Sequence, residues 1–141
     1  MTRYLVDTNV LSELVGTTPD VAVLEFVRKL PSADLFLSTI SRFEIERGLG
    51  LMPEGRRREL YERRYRTLID SLGGILPLDD AAASAGASIA LAARARGTSL
   101  DDHLFDVLIA GSAATRGLTV LTRNERQFRK TGVAFTNPWR A

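Results

Sequence analysis

The fold is decided near the start of the chain by Tyr4-Leu5-Val6-Asp7-Thr8-Asn9-Val10-Leu11. Three apolar residues suited to a buried strand lead into an acid, two small polar residues and an apolar segment with helical spacing. We interpret this as a strand that ends in a carboxylate. In an open parallel sheet, ligands bind outside the carboxyl ends of the strands, which would place Asp7 for chemistry. The alternative is that Asp7 or Asn9 only caps the following helix.

The composition predicts one globular domain covering residues 1–141. A chain of 141 residues with 45% hydrophobic residues has the size and core of an ordinary domain. No run approaches the roughly 18 to 20 apolar residues that a membrane helix needs, and the first residues do not resemble a signal peptide. We therefore expect a cytoplasmic protein with no membrane partner. The absence of cysteine excludes disulfides, thiolate metal sites and a cysteine nucleophile.

The charge is concentrated in two arginine-rich segments. The net charge of +2 is small, but six arginines lie between positions 56 and 66, and a second basic cluster lies between positions 123 and 140. Such clusters make a polyanionic substrate an option. The alternative for the first cluster is a solvated helix face, paired in part with Glu54, Glu59 and Glu62.

Strands and helices alternate along the chain. Predicted strands lie at residues 4–6, 35–37, 75–78, 118–122 and 133–136, and Pro77 suggests an edge position for the third. Predicted helices lie at residues 10–15, 21–30, 40–51, 53–72, 80–96, 104–116 and 124–128. This alternation predicts an α/β fold with a parallel sheet that is covered on both faces.

Asp106 interrupts a helix whose neighbouring residues are all apolar, so the helix is expected to be buried nearly all round. A buried carboxylate needs a partner or a metal ion. The alternative is a salt bridge from Asp106 to a distant arginine. Asp102 lies one turn earlier and either joins the site or caps the helix.

Glu44 allows two interpretations. Ser41-Arg42-Phe43-Glu44 matches a capping box, in which the glutamate bonds a backbone N–H. Alternatively, the helix begins at Ser38 or Thr39, and Glu44 points toward the pocket beside Asp7.

The polar residues Thr122-Arg123-Asn124 lie at the carboxyl end of the fourth strand. Together with Thr8 they are candidates for binding water or a phosphate oxygen, although they could also only cap a helix. Oxygen ligands without histidine or cysteine suit Mg²⁺ or Mn²⁺, and such a site suits phosphoryl chemistry. The only histidine, His103, is expected at a helix start in a surface or capping role.

These motifs, with Asn137-Pro138-Trp139 at the end, resemble the PIN-domain ribonucleases, and among them the VapC-type toxins of bacterial type II toxin–antitoxin pairs. The resemblance covers nearly the whole chain. It implies a three-layer α/β/α sandwich with about five parallel strands. It also implies Mg²⁺ or Mn²⁺ bound by Asp7 and Asp106, with Glu44 completing the acidic set, for RNA cleavage.

The same resemblance implies a cognate VapB-type antitoxin, whose C-terminal segment covers the pocket, and a homodimer. Many relatives carry a further acid where this chain has Asn124, so the resemblance does not decide whether one metal ion or two are bound. The competing hypothesis is a non-catalytic PIN-like module that binds nucleic acid or protein. A haloacid dehalogenase-type phosphatase would need a second aspartate where the chain has Asn9.

Overall fold

The computed structural model describes residues 1–141 and contains five strands and seven α-helices. The strands are β1 (Tyr4–Val6), β2 (Leu35–Ser38), β3 (Gly74–Leu76), β4 (Thr119–Leu121) and β5 (Phe135–Thr136). The helices are α1 (Thr8–Val15), α2 (Val21–Arg28), α3 (Thr39–Leu51), α4 (Arg56–Ser71), α5 (Asp80–Ala95), α6 (Leu104–Arg116) and α7 (Glu125–Thr131). None of the helices combines the length and apolarity needed to cross a membrane.

All five strands form one parallel sheet in the order β3-β2-β1-β4-β5. The central strand β1 pairs with β2 on one side and with β4 on the other, so that Tyr4 lies opposite both Leu35 and Thr119. The third strand is an edge strand, as predicted. Because the strands are parallel, the carboxyl ends of β1, β2 and β4 lie side by side at the same end of the sheet.

Helices cover both faces of the sheet. Tyr4 and Val6 belong to a core cluster with residues of α1, α2, α3 and α4, such as Val10 and Ile69. Leu5 points to the opposite face, into a second cluster that includes residues of α6 and α7. This alternation follows from the period of two in a strand. The predicted three-layer α/β/α sandwich is therefore confirmed.

Two helices begin two or three residues away from their predicted starts. The first starts at Thr8 rather than Val10, because the side chain of Asp7 accepts a hydrogen bond from the Thr8 N–H and caps it. The arginine-rich helix starts at Arg56 rather than Pro53, because Gly55 has a φ of 146°. A positive φ is readily adopted by glycine and cannot continue a right-handed helix.

The start of α3 decides between the two interpretations of Glu44. Ser38 is the N-cap, and its hydroxyl accepts a hydrogen bond from the Ile40 N–H at 3.0 Å. Glu44 therefore lies in the second turn of α3. The capping box at positions 41–44 was wrong, and the earlier helix start was correct.

Val107 and residues 109–113 of α6 are buried, and this part of the helix packs closely against α5. A Cβ on Gly111 would collide with the carbonyl oxygen of Ala82, so this crossing requires glycine. The first turn differs from the expectation of burial all round. Leu104 and Phe105 are 57% and 44% exposed, and the Phe105 ring contacts that of Phe43, which is itself 53% exposed.

Candidate active site

Asp7 lies at the end of β1 and is 5% exposed. Its Oδ1 accepts the Thr8 N–H at 2.8 Å, and its Oδ2 accepts hydrogen bonds from Thr122 Oγ1 at 2.8 Å and Asn9 Nδ2 at 3.1 Å. Burial raises the pKa of Asp7, and the three hydrogen bonds oppose that rise without cancelling it. The carboxylate is thus fixed in position by donors that carry no charge.

Glu44 reaches the same region from α3. Its Oε1 accepts a hydrogen bond from Thr8 Oγ1 at 2.9 Å, which ties it to the first residue of α1. Burial raises the pKa of Glu44, the Thr8 hydrogen bond lowers it, and the charge of Asp7 raises it again. Asp7 and Glu44 are therefore close enough to repel each other.

Asp106 is the third acid of the group and lies in the first turn of α6. Burial, followed by repulsion from Asp7 and Glu44, raises the pKa of Asp106 to about 7. Its Oδ2 lies 3.4 Å from Asn124 Nδ2 and 3.8 Å from His103 Nδ1. No arginine or lysine forms an ion pair with Asp106, so the predicted alternative of a distant arginine was wrong.

A polar network at the end of β4 supports the acids. Thr122 is fully buried, and its hydroxyl also accepts the Asn124 N–H at 2.9 Å. Asn9 Nδ2 lies 3.3 Å from the same hydroxyl, and Asn9 Oδ1 accepts the Arg123 N–H at 3.1 Å. Residues at the ends of β1 and β4 are thereby joined into one hydrogen-bonded unit.

Two open cavities share Glu44 as a lining residue. One, of about 390 Å³, is lined by residues 101–106 and Glu44. The other, of about 820 Å³, runs from Thr8 and Glu44 along the end of α3 to α4. Its far wall carries Arg56, Arg57 and Tyr61, and the guanidinium carbon of Arg57 lies 5.7 Å from the centroid of the Tyr61 ring.

The three carboxylates fit a divalent cation by their chemistry. All donors are oxygen atoms, which Mg²⁺ and Mn²⁺ prefer, and their mutual repulsion is what a bound cation would relieve. The acids alone do not form a complete coordination shell, since no three acidic or histidine side chains converge closely enough for one ion. Mg²⁺ usually keeps several water ligands and takes one or two carboxylates from the protein.

Comparison with known proteins identifies the family. The family model described as PIN domain matches residues 4–134. The chain belongs to the PIN-domain family. A VapC ribonuclease, Y4jK of Sinorhizobium fredii, is 34% identical to this PIN domain over 137 residues, which is 96% of either chain. Toxin FitB of Neisseria gonorrhoeae is 34% identical over 137 residues, 96% of this chain and 97% of that protein.

Solved structures support the same assignment. The crystal structure of FitAcB from Neisseria gonorrhoeae matches with a TM-score of 0.89 and 33% identity, over 98% of this chain and 99% of that chain. The structure of DNA-bound VapBC from Salmonella typhimurium matches with a TM-score of 0.81 and 25% identity, over 98% and 99% of the two chains. The resemblance to VapC-type toxins is thereby confirmed.

The PIN domain places most of the predicted site residues together. The acidic group consists of Asp7, Glu44 and Asp106. Thr8 donates a hydrogen bond to Glu44, and Thr122 donates one to Asp7. Arg123 and Asn124 lie at its rim and are exposed. Asp102 does not cap α6, because His103 occupies the N-cap position; it is exposed and lines the smaller cavity.

Two contacts were not predicted from the sequence. Asn9 was considered only as a helix cap, yet its side chain bridges Asp7, Thr122 and Arg123. His103 was expected at a helix start, and it lies there without a side-chain capping bond, but its approach to Asp106 was not foreseen. An amide two residues after the acid is the only sequence feature that could have indicated the role of Asn9.

Proposed function

We propose that this PIN domain is a Mg²⁺- or Mn²⁺-dependent endoribonuclease and the toxin of a type II toxin–antitoxin pair. One observation carries the proposal: three carboxylates, at the end of β1, in α3 and in α6, form one group with which no arginine or lysine side chain pairs. The charges of Asp7 and Glu44 both raise the pKa of Asp106. The relatives named a VapC ribonuclease and Toxin FitB support the activity and the biological role.

The protein's own residues would orient the reaction. One or two of Asp7, Glu44 and Asp106 would bind the metal ion directly, and water would supply its other ligands. The ion would polarise the attacking water and offset charge on the phosphate. Thr122 and Asn9 fix both rotation and position of the Asp7 carboxylate through their bonds to Oδ2. Thr8 does the same for Glu44. Such fixed geometry lowers the reorganisation needed in the transition state.

The exposed rim would bind the substrate. The side-chain amide of Asn124 donates a hydrogen bond from Nδ2 to Asp106 Oδ2 at 3.4 Å. Arg123 presents a positive charge beside an acidic pocket that would otherwise repel a polyanion. The basic face of α4 borders the larger cavity, which starts at Thr8 and Glu44. These features favour RNA over a neutral substrate.

A protein partner follows from the relatives. The similar structures are those of FitAcB and of VapBC bound to DNA, and a similar protein is Toxin FitB. We infer that a cognate VapB-type antitoxin binds this PIN domain, that its C-terminal segment covers the acidic pocket, and that the chain forms a homodimer. Chromatography of the chain alone and with its antitoxin, with light scattering, would measure both associations; a monomer in both samples would contradict them.

The test of the enzymatic proposal is cleavage of cellular RNA by the purified chain with Mg²⁺, with Mn²⁺ and with EDTA. We expect cleavage with either metal ion and none with EDTA. Asp7→Ala should lower the rate about a thousandfold or more, since a lost metal ligand removes several kcal/mol of transition-state stabilisation.

Asp79→Ala is the matched control. Asp79 also follows a strand and caps a helix, so this variant loses a helix cap but no residue of the acidic group. Its cleavage rate should equal that of the unmodified chain. Undiminished cleavage by Asp7→Ala would refute the site, and absence of cleavage under every condition would favour the non-catalytic module.

A further inference from the structure

Arg123 is tied to the acidic group through its backbone. Its N–H donates to Asn9 Oδ1 at 3.1 Å, and Asn9 Nδ2 in turn lies 3.1 Å from Asp7 Oδ2. Two hydrogen bonds therefore separate the Arg123 main chain from the buried acid. The position of this residue is set by the same network that fixes the carboxylate.

The Arg123 guanidinium is exposed and has no acidic partner. It takes part in no ion pair or side-chain hydrogen bond, but its central carbon lies 4.9 Å from the centroid of the Trp139 ring. In the other four arginine–aromatic pairs, the same carbon lies 5.7 to 6.0 Å from the ring centroid. A guanidinium held over an aromatic face keeps its N–H donors available for a phosphate.

Trp139 is itself fixed in place. Its side chain packs against the core cluster of Tyr4 and Val6, and its backbone N–H donates to Asn137 Oδ1 at 3.0 Å. The end of the chain is fastened to Glu125, the first residue of α7. Glu125 Oε2 accepts Asn137 Nδ2 at 3.0 Å and pairs with Arg140 Nη1 at 3.1 Å.

We propose that Trp139 is a positioning residue that holds Arg123 ready to bind a phosphate of single-stranded RNA beside the acidic group. This inference rests on the proposed ribonuclease function. Three carboxylates repel a polyanion, so productive binding needs positive charge at a fixed place on the rim. An unpaired arginine, stacked on a core-anchored indole and bonded through its backbone to the site, supplies that charge.

RNA binding tests the inference independently of cleavage. We would measure the affinity of a fluorescently labelled single-stranded oligoribonucleotide by anisotropy, in EDTA, over a range of salt concentrations. Arg123→Gln and Trp139→Leu should each weaken binding roughly tenfold, as expected for loss of one charge-assisted contact. In Arg123→Gln, the slope of log affinity against log salt should become less steep by about 0.7, the value for one phosphate contact on a single strand.

The matched control is Arg3→Gln. Arg3 is also exposed and lies over an aromatic ring, that of Phe36 at 6.0 Å, but it precedes β1 and so lies at the opposite edge of the sheet. This variant should bind RNA with unchanged affinity and salt dependence. Equal weakening in Arg3→Gln and Arg123→Gln would show a general charge effect and overturn the inference.

Further variants separate positioning from simple packing. Trp139→Phe keeps an aromatic face and should restore most of the binding that Trp139→Leu loses. The Arg123→Gln/Trp139→Leu double variant should bind no more weakly than Arg123→Gln alone, because the two residues act as one unit. Additive losses in the double variant, or no rescue by Trp139→Phe, would overturn the positioning role.

The single tryptophan provides a second measurement. Titration with unlabelled single-stranded RNA should change the emission of Trp139 in the unmodified chain and in Arg3→Gln, and much less in Arg123→Gln. No change in the unmodified chain would overturn the inference even if RNA is cleaved. A normal change without cleavage under any metal condition would refute only the proposed activity, and binding of an acidic peptide but not RNA would indicate a protein partner instead.

Discussion

Asp7 and Asp79 occupy equivalent positions in the chain but different environments. Each follows a strand of the sheet, and each side chain caps the next helix. The Asp79 side chain is 48% exposed and pairs with Arg116 at 3.1 Å. Asp7 is 5% exposed and receives only neutral donors, with Glu44 and Asp106 as charged neighbours.

The comparison shows that a capping role and a functional role are compatible. Capping uses Oδ1 of Asp7 and leaves Oδ2 for the network at β4. What distinguishes the two aspartates is the surrounding charge, since Asp79 has a cation and solvent while Asp7 lies among acids. A group of acids without compensating positive charge lowers the stability of the folded protein. A protein that retains such a group despite this loss has a candidate metal-binding site there.

The largest expected difference concerns Asp106. Asp106→Asn should lower metal-dependent RNA cleavage at least a hundredfold, yet it should raise thermal stability in EDTA at pH 8, because a poorly compensated charge is removed. Cleavage assays and thermal melts would measure the two effects. Asp79→Asn is the control, and it should change both little, because asparagine also caps helices and exposed ion pairs contribute little.

The stability gain of Asp106→Asn should depend on pH. The folded-state pKa of Asp106, about 7, lies above its usual value of 3.8. Between these values the folded state binds more protons than the unfolded state, so the unmodified chain loses stability as pH rises through this window. The variant should therefore melt similarly to the unmodified chain near pH 4 and several degrees higher at pH 8. A constant difference across this range would contradict the charge explanation.

An intermediate effect is expected at Thr122. Thr122→Val has nearly the same shape but removes the donor to Asp7 and the acceptor of the Asn124 N–H. The loss should cost roughly 1–3 kcal/mol in urea unfolding and lower the cleavage rate. Thr131→Val is the control, since this buried hydroxyl bonds the Phe128 carbonyl within α7. Full cleavage by Thr122→Val would show that the network does not orient Asp7.

The smallest effect is expected for Asp79→Ala on stability. Loss of the cap on α5 should lower the free energy of unfolding by about 1 kcal/mol, with a small further loss from the exposed pair with Arg116. Urea unfolding would measure this change. A loss of several kcal/mol would mean that Asp79 interacts as strongly with its surroundings as Asp7 does, and would contradict the difference between the two aspartates.

Features that depend on nearby residues were predicted from the sequence. The apolar run before Asp7, the alternation of strands and helices, and the apolar neighbours of Asp106 are local patterns. They predicted all five strands and two of the three acids. Glu44 was ambiguous, because the capping box and the earlier start at Ser38 differ only in which hydroxyl caps α3.

Features that depend on distant residues were not predicted. Asn9 contacts Thr122 across 113 positions of sequence, and Asn124 meets Asp106 from a different element. No periodicity records such contacts, since they arise from the order in which the strands pair. The exposure of Phe105 was missed for a similar reason, because burial of the first turn of α6 depends on where the neighbouring helix ends.

The pairing of β1 with β4 has a consequence for biosynthesis. Asp7 is synthesised 115 positions before its partner Thr122. At typical translation rates of about 5–20 residues per second, roughly 6 to 23 seconds pass between the synthesis of Asp7 and that of Thr122. A nascent chain therefore lacks the completed surroundings of Asp7 until Thr122 has been made, and products truncated before Thr122 never acquire them.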